Sequence, residues 1–188
     1  MYLRILHEAS LYETLFWIDA ELAETARQGG CECGAALHRA NYPRKPRGAQ
    51  LGPEYERRLS FCCGRCRRRC TPRSVRFLGR KVYLSVVVTL LTALRCGATP
   101  VRVARLRAAV GVDERTLRHW RRWWQVRFAQ SRFWRAARGR FVSPVQSHQL
   151  PASLLERFGG ELGDRLVALL RFVAPLSTRT CPRGLQAL

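Results

Sequence analysis

Six of the eight cysteines fall between residues 31 and 70, as Cys31-Glu32-Cys33-Gly34, Phe61-Cys62-Cys63-Gly64-Arg65-Cys66 and Cys70. A tetrahedral metal site needs four soft ligands converging on one point, and two tight turns that each deliver two thiolates meet that need. Cys63-x-x-Cys66 has the spacing of such a knuckle, with Gly64 free to take the turn; Cys31-x-Cys33-Gly34 is a tighter partner. We expect one structural Zn2+ on Cys31, Cys33, Cys63 and Cys66, with Cys62 and Cys70 as alternates at the second knuckle. The 29 residues between the pairs leave room for two or three short strands, the outline of a zinc ribbon. Buried free thiols, disulfides and an iron–sulfur cluster are the competing readings. A closed four-cysteine zinc site has no open coordination position, so no catalysis is assigned to it. Cys96 and Cys181 stand alone and read as packing residues.

Charge is the second signal. The chain has 188 residues, 34 Lys+Arg against 13 Asp+Glu, and a formal net charge of +21. Such an excess favours a polyanionic partner, nucleic acid above all. An apolar share of 47% and an aromatic share of 10% exclude a disordered basic tail. All but Lys45 and Lys81 of the basic residues are arginine. Genome base composition can produce that preference, so the weight rests on the net charge. Directly after the second knuckle come Arg67, Arg68 and Arg69, then Arg73, Arg76 and Arg80, expected to meet phosphate. The stretch Tyr42-Pro43-Arg44-Lys45-Pro46-Arg47-Gly48 reads as an exposed basic loop, and Arg44, Lys45 and Arg47 join the candidate contacts.

Four segments position these groups. Residues 1–28 carry a net charge of −3, with Leu11, Leu15, Ile18 and Leu22 spaced as one face of an amphipathic helix that Gly29-Gly30 ends. It is read as a packing helix, or alternatively as a dimer or partner helix. Residues 29–78 form the ribbon with its basic loop. Residues 79–141 are expected to be helical. An apolar segment from Lys81 to Cys96 comes first, its length favouring helix over strand despite Val86-Val87-Val88. Thr99-Pro100 starts a short helix through Ala109, Gly111 turns the chain, and Asp113 caps a second helix. That outline is a helix–turn–helix, with Ala104 allowing close approach of the first helix and Val112, Leu117 and Trp120 packing. Its second helix would offer Glu114, Arg115, Arg118, His119, Arg121 and Arg122 to the major groove. Arg115 and Arg118 are expected at base edges, Arg121 and Arg122 at phosphates. Trp120, Trp123 and Trp124 are read as core. Residues 142–188 are read as a C-terminal helical pair. The fold class expected is mainly α with a small β zinc ribbon.

These motifs, covering about residues 31–124, resemble bacterial insertion-sequence proteins that open with a zinc ribbon and a helix–turn–helix. The likeness lies in the Cys-x-Cys-Gly knuckle, the Phe-Cys-Cys-Gly-Arg-Cys knuckle, the basic stretch with Thr71-Pro72, and the helix ending Thr116-Leu117-Arg118-His119-Trp120. Segments 37–48 and 74–80 resemble recurring element-associated proteins more loosely. The resemblance implies zinc at the knuckles and double-stranded DNA under the recognition helix. Its partners would be a separate catalytic transposase subunit and a second copy in a homodimer. The first knuckle departs from the usual Cys-x-x-Cys. Catalytic machinery is not in sight either: after the helix–turn–helix, Glu156, Glu161 and Asp164 lie within nine residues on a helical segment. They cannot reproduce three carboxylates gathered from a sheet domain. No phosphate-binding loop or nucleophile elbow is present.

The expectation is therefore a non-enzymatic DNA-binding protein of a transposable element, with no membrane or small-molecule partner. The alternatives are a truncated transposase lacking its catalytic domain and a zinc-ribbon protein that binds RNA or the ribosome. The N-terminus lacks the basic and apolar regions of a signal peptide, and the most apolar run is too short to span a bilayer. The expected location is the cytoplasm, at the nucleoid.

Overall fold

Leu11, Leu15 and Ile18 lie in a row along α2, Ala9–Gln28, and are buried as their spacing requires, with Leu22 half-buried. A short helix α1, Tyr2–Leu6, precedes it, so two helices rather than one cover residues 2–28. Gly30 ends α2 in the left-handed region, at φ 65°, where glycine carries no Cβ penalty. The computed structural model describes residues 2–44, 46–47, 52–53, 55–79, 83–94 and 99–178. Lys45, Gly48, Arg80, Lys81, Cys96, Gly97 and Cys181 lie outside them. The described chain is mainly helical, with small antiparallel sheets, and divides into two compact units.

One unit is built from residues 1–7, 47–49 and 85–169. Its centre is α3, Ser85–Leu94, in which every residue is buried. A helix apolar on all sides belongs inside; here it packs against α1, α4 (Pro100–Ala109), α5 (Glu114–Arg122) and α7 (Ala152–Leu155). The chain leaves α5 through a π-helical turn, Trp123–Phe128, and re-enters helix at α6, Arg132–Ala137, capped by the Ser131 hydroxyl. Trp124, Phe128 and Trp134 are buried together, with ring centroids 4.9 and 5.1 Å apart. α8, Leu162–Val173, follows α7, and the unit takes it in up to Leu169.

The other unit comprises residues 8–46, 50–84 and 170–188. Its three-stranded antiparallel sheet has the order β1 (Leu37–Arg39), β4 (Phe61–Cys63), β5 (Arg69–Cys70). β2 (Tyr42–Pro43) and β3 (Arg57–Arg58) form a second, two-stranded ladder. Tyr42 and Pro43 are thus strand residues rather than loop; their backbone is committed opposite Arg58 and Arg57. Pairing across the larger sheet alternates as the pleat demands. Leu37, Cys63, Phe61 and Cys70 point into a core shared with Ala23 of α2, while His38, Cys62 and Arg69 form one outward row.

Asp19 closes this unit. It is fully buried on α2, where its carboxylate accepts from the Ser74 hydroxyl (2.6 Å), the Val75 backbone N–H (2.7 Å) and Arg76 Nε (2.9 Å). Arg76 is 1% exposed, and its remaining donors go to the carbonyls of Tyr55 and Arg57, both at 3.0 Å. Its guanidinium also lies over the rings of Phe16 and Phe77. Arg76 is therefore not a phosphate contact: it belongs to the interior, and Asp19 is the reason. The C-terminal end of the unit pins the same segment, with Ser74 N–H donating to the Ser177 hydroxyl and Thr178 Oγ1 donating to the Thr71 carbonyl.

Candidate metal centre

The first knuckle is made by backbone. Gly34 N–H donates to the Cys31 carbonyl at 2.8 Å and Cys31 N–H to the Ala35 carbonyl at 3.1 Å, while Gly34 adopts φ 79°. The second knuckle follows β4. Cys66 N–H donates to Cys63 Sγ at 3.4 Å, and Arg67 closes the turn in the left-handed region at φ 60°. Gly64 N–H donates to the Ala36 carbonyl at 3.1 Å, tying the second turn to the residue before β1. A Cβ on Gly64 would come within 2.9 Å of His38 Nε2, the tip of an exposed side chain that can turn aside.

These turns bring Cys31, Cys33, Cys63 and Cys66 together, with all four sulfurs within 4.8 Å of one another. Cys31 and Cys66 sulfurs are 3.5 Å apart, Cys33 and Cys63 sulfurs 3.4 Å. A single tetrahedral ion with metal–sulfur bonds of about 2.3 Å requires sulfurs about 3.8 Å apart, a spacing within the observed range. Four cysteines at this spacing can hold a metal ion. The tight first knuckle is no obstacle, because the Cys31 and Cys33 sulfurs both fall within this cluster.

The alternates are elsewhere. Cys62 faces the opposite side of β4, and its thiol donates to the Arg67 carbonyl at 3.4 Å. Cys70 is buried on β5 in the apolar core. The one-residue difference between Cys62 and Cys63 is a change of sheet face, and strand alternation decides it.

Backbone donors prepare the site for negative charge. The Cys66 N–H, and after it the Arg65 N–H, draw the Cys63 thiol down to about 6. Cys31 feels a lowering pull from the Cys33 backbone, yet the Cys66 thiol and burial push it up to about 12. Of these two thiols Cys63 is the readier to ionise, and it is the thiolate that ligates a metal. Arg65 spans the two knuckles, donating to the Cys33 carbonyl at 3.3 Å, and Arg68 pairs with Glu32.

The remaining basic residues sort by what they touch. Arg67 and Arg68 are exposed. Arg69 is exposed too, but it donates to the Ala40 carbonyl (2.9 Å) and the Ser60 hydroxyl (3.1 Å) and lies over the Tyr42 ring. Arg44 is half-buried against Phe77 and donates to the Gly79 carbonyl; Arg47 is exposed. On α5, Arg115, Arg118, His119, Arg121 and Arg122 are all exposed, while Leu117 and Trp120 face the core. Glu114 does not join the outward set, since it pairs with Arg107 of α4 at 2.9 Å, bracing the turn at Gly111 (φ 61°). Arg107 also donates to the Val112 carbonyl. Asp113 caps α5 as expected, accepting from Thr116 N–H at 2.6 Å. Ala104 is exposed and mediates no close approach; Val103 of α4 and Val110 and Val112 at the turn are buried.

No family model matches the chain, and no curated protein or solved structure does either. Among the described residues, no helix is long and apolar enough to cross a membrane.

Proposed function

We propose that this chain is a zinc-dependent, non-enzymatic DNA-binding protein of a transposable element. The observation that carries the DNA reading is α5. Beyond a braced turn at Gly111, it keeps Leu117 and Trp120 in the core and leaves five basic side chains exposed. That is how a recognition helix divides its faces. Arg115 and Arg118 would reach base edges, and Arg121 and Arg122 the flanking phosphates. Arg67 and Arg68 on the second knuckle, with Arg47, would add contacts of the sequence-independent kind.

The metal is assigned as one structural Zn2+ on the four thiolates. Their spacing suits one ion better than a multi-iron cluster, whose irons would spread the ligands further apart. The assignment to a mobile element rests on the resemblance of residues 31–124. In that role the protein would bind element DNA at the nucleoid and serve a separate catalytic transposase subunit.

The test pairs zinc content by native mass spectrometry with duplex-DNA binding across a salt series. One zinc per chain and a binding constant that falls steeply with salt are expected. A metal-free folded protein, or equal affinity for RNA and duplex DNA, overturns the reading. The same assay on a three-carboxylate transposase encoded beside the chain tests the partner: recruitment to DNA by this protein is the expected result.

A further inference from the structure

We propose that the outer face of α2 docks onto the arginine-rich face of α5 in a second copy of this chain. The face is formed by Glu13, Trp17 and Glu21, which recur every four residues on a helix and so lie in one line. All three are exposed, and Trp17 is 65% exposed. Of the other tryptophans, Trp120, Trp124 and Trp134 are buried and Trp123 is half-buried. Trp17 rests one edge against Phe16, with centroids 5.6 Å apart, which holds the indole while its outer surface remains open. Neither Glu13 nor Glu21 makes an ion pair among the described residues, whereas Glu24 on the next turn is already engaged by Arg27 at 2.7 Å.

An exposed tryptophan alone would carry no meaning. Its setting does: two free carboxylates flank it, on a chain with a net charge of +21. The chemistry such a line recognises is a row of guanidinium groups, two paired with carboxylates and one stacked on the indole. The chain presents that row itself. Arg115, Arg118 and Arg122 lie three and four residues apart on one exposed side of α5. At 1.5 Å per residue the acidic line spans about 12 Å and the basic one about 10 Å, so three contacts can form at once when the two helices lie side by side. The proposal goes beyond the DNA reading and does not depend on it.

Two charge-reversed variants provide the test, in sedimentation velocity over a range of protein concentrations at low and physiological salt. E13R/E21R reverses the two carboxylates of the acidic line; R115E/R122E reverses the two outer arginines that face them. All four positions are exposed, and circular dichroism checks that each variant folds. Wild type should self-associate at low salt, weaken as salt screens the contact, and protect Trp17 from iodide quenching. Each variant alone should be monomeric, and mixing the two should restore a complex, because the reversed faces are complementary. Wild type that stays monomeric at low salt overturns the proposal. So does a variant that associates as wild type does, or a mixture that fails to. No DNA is present, so failure of the DNA reading would not affect any of these outcomes.

Discussion

Asp19 and Arg76, 57 residues apart in the sequence, form an ion pair of 2.9 Å with both side chains withdrawn from water. The pair joins α2 to the segment that follows β5. Its geometry satisfies the carboxylate with three donors, and the guanidinium with two further carbonyls besides.

A buried pair of this kind costs most when one partner is removed, because the other is left charged and unpaired. Asp19→Ala should destabilise the protein by about 3–5 kcal/mol. Urea denaturation measures it; a change within the range of a surface substitution would show that water replaces the carboxylate. Arg76→Ala should lower stability as well and leave DNA binding by the surviving folded protein intact.

The four cysteines of the cluster differ from their neighbours by position alone. Cys63→Ala should abolish metal binding and unfold the ribbon, since the free energy of a structural metal is folding free energy. Cys62→Ala and Cys70→Ala should each retain one metal per chain by mass spectrometry. Retention by Cys63→Ala with loss by Cys62→Ala would place the wrong residue in the site.

The Asp113 cap gives a pH signature. The Thr116 backbone N–H, followed by the Thr116 hydroxyl, holds its carboxyl below the usual range. Its stabilising effect is therefore present above the unfolded carboxylate value of about 3.9. It is lost as pH falls through the lower folded value. Asp113→Ala should lower the melting temperature by about 2–4 °C at pH 7, and the gap between variant and wild type should close below about pH 4. A gap that persists unchanged in strong acid would assign the effect to something other than the ionised cap.

On DNA, exposed and engaged arginines should separate. Arg118→Ala should weaken binding to a preferred site by roughly 1–3 kcal/mol, with a smaller loss on random sequence. Arg69→Ala should instead loosen the ribbon, because it gives up the bonds to Ala40 and Ser60. Quantitative binding isotherms and melting curves on both variants distinguish the two; equal losses of Arg118→Ala on every sequence would make it a phosphate contact.

Several local choices were legible in the residues themselves. Cys63 and Cys66 with Gly64 between them specify a knuckle, Asp113 ahead of Thr116 specifies a cap, and Leu117, Trp120 and Trp124 specify a buried stripe. Arg76 was not legible. It sits in the same basic stretch as Arg67 and Arg68, and no neighbour in sequence marks it for burial. Spacing pointed to Cys63 but left Cys62 as an alternate, since the sheet face that separates two adjacent strand residues is set by the pairing of β4 with β1.

What the sequence determined by itself is the set of short-range structures: turns, caps, apolar stripes and the supply of four soft ligands. Each depends on backbone sterics or hydrogen bonds within a few residues, so local residue types suffice. Tertiary structure decided which cysteines converge, which arginines remain outside and what Asp19 is for. Those outcomes depend on partners tens of residues away. Burying a charge is tolerable only where its counter-charge is buried with it, and the folded chain alone brings Asp19 and Arg76 to that place.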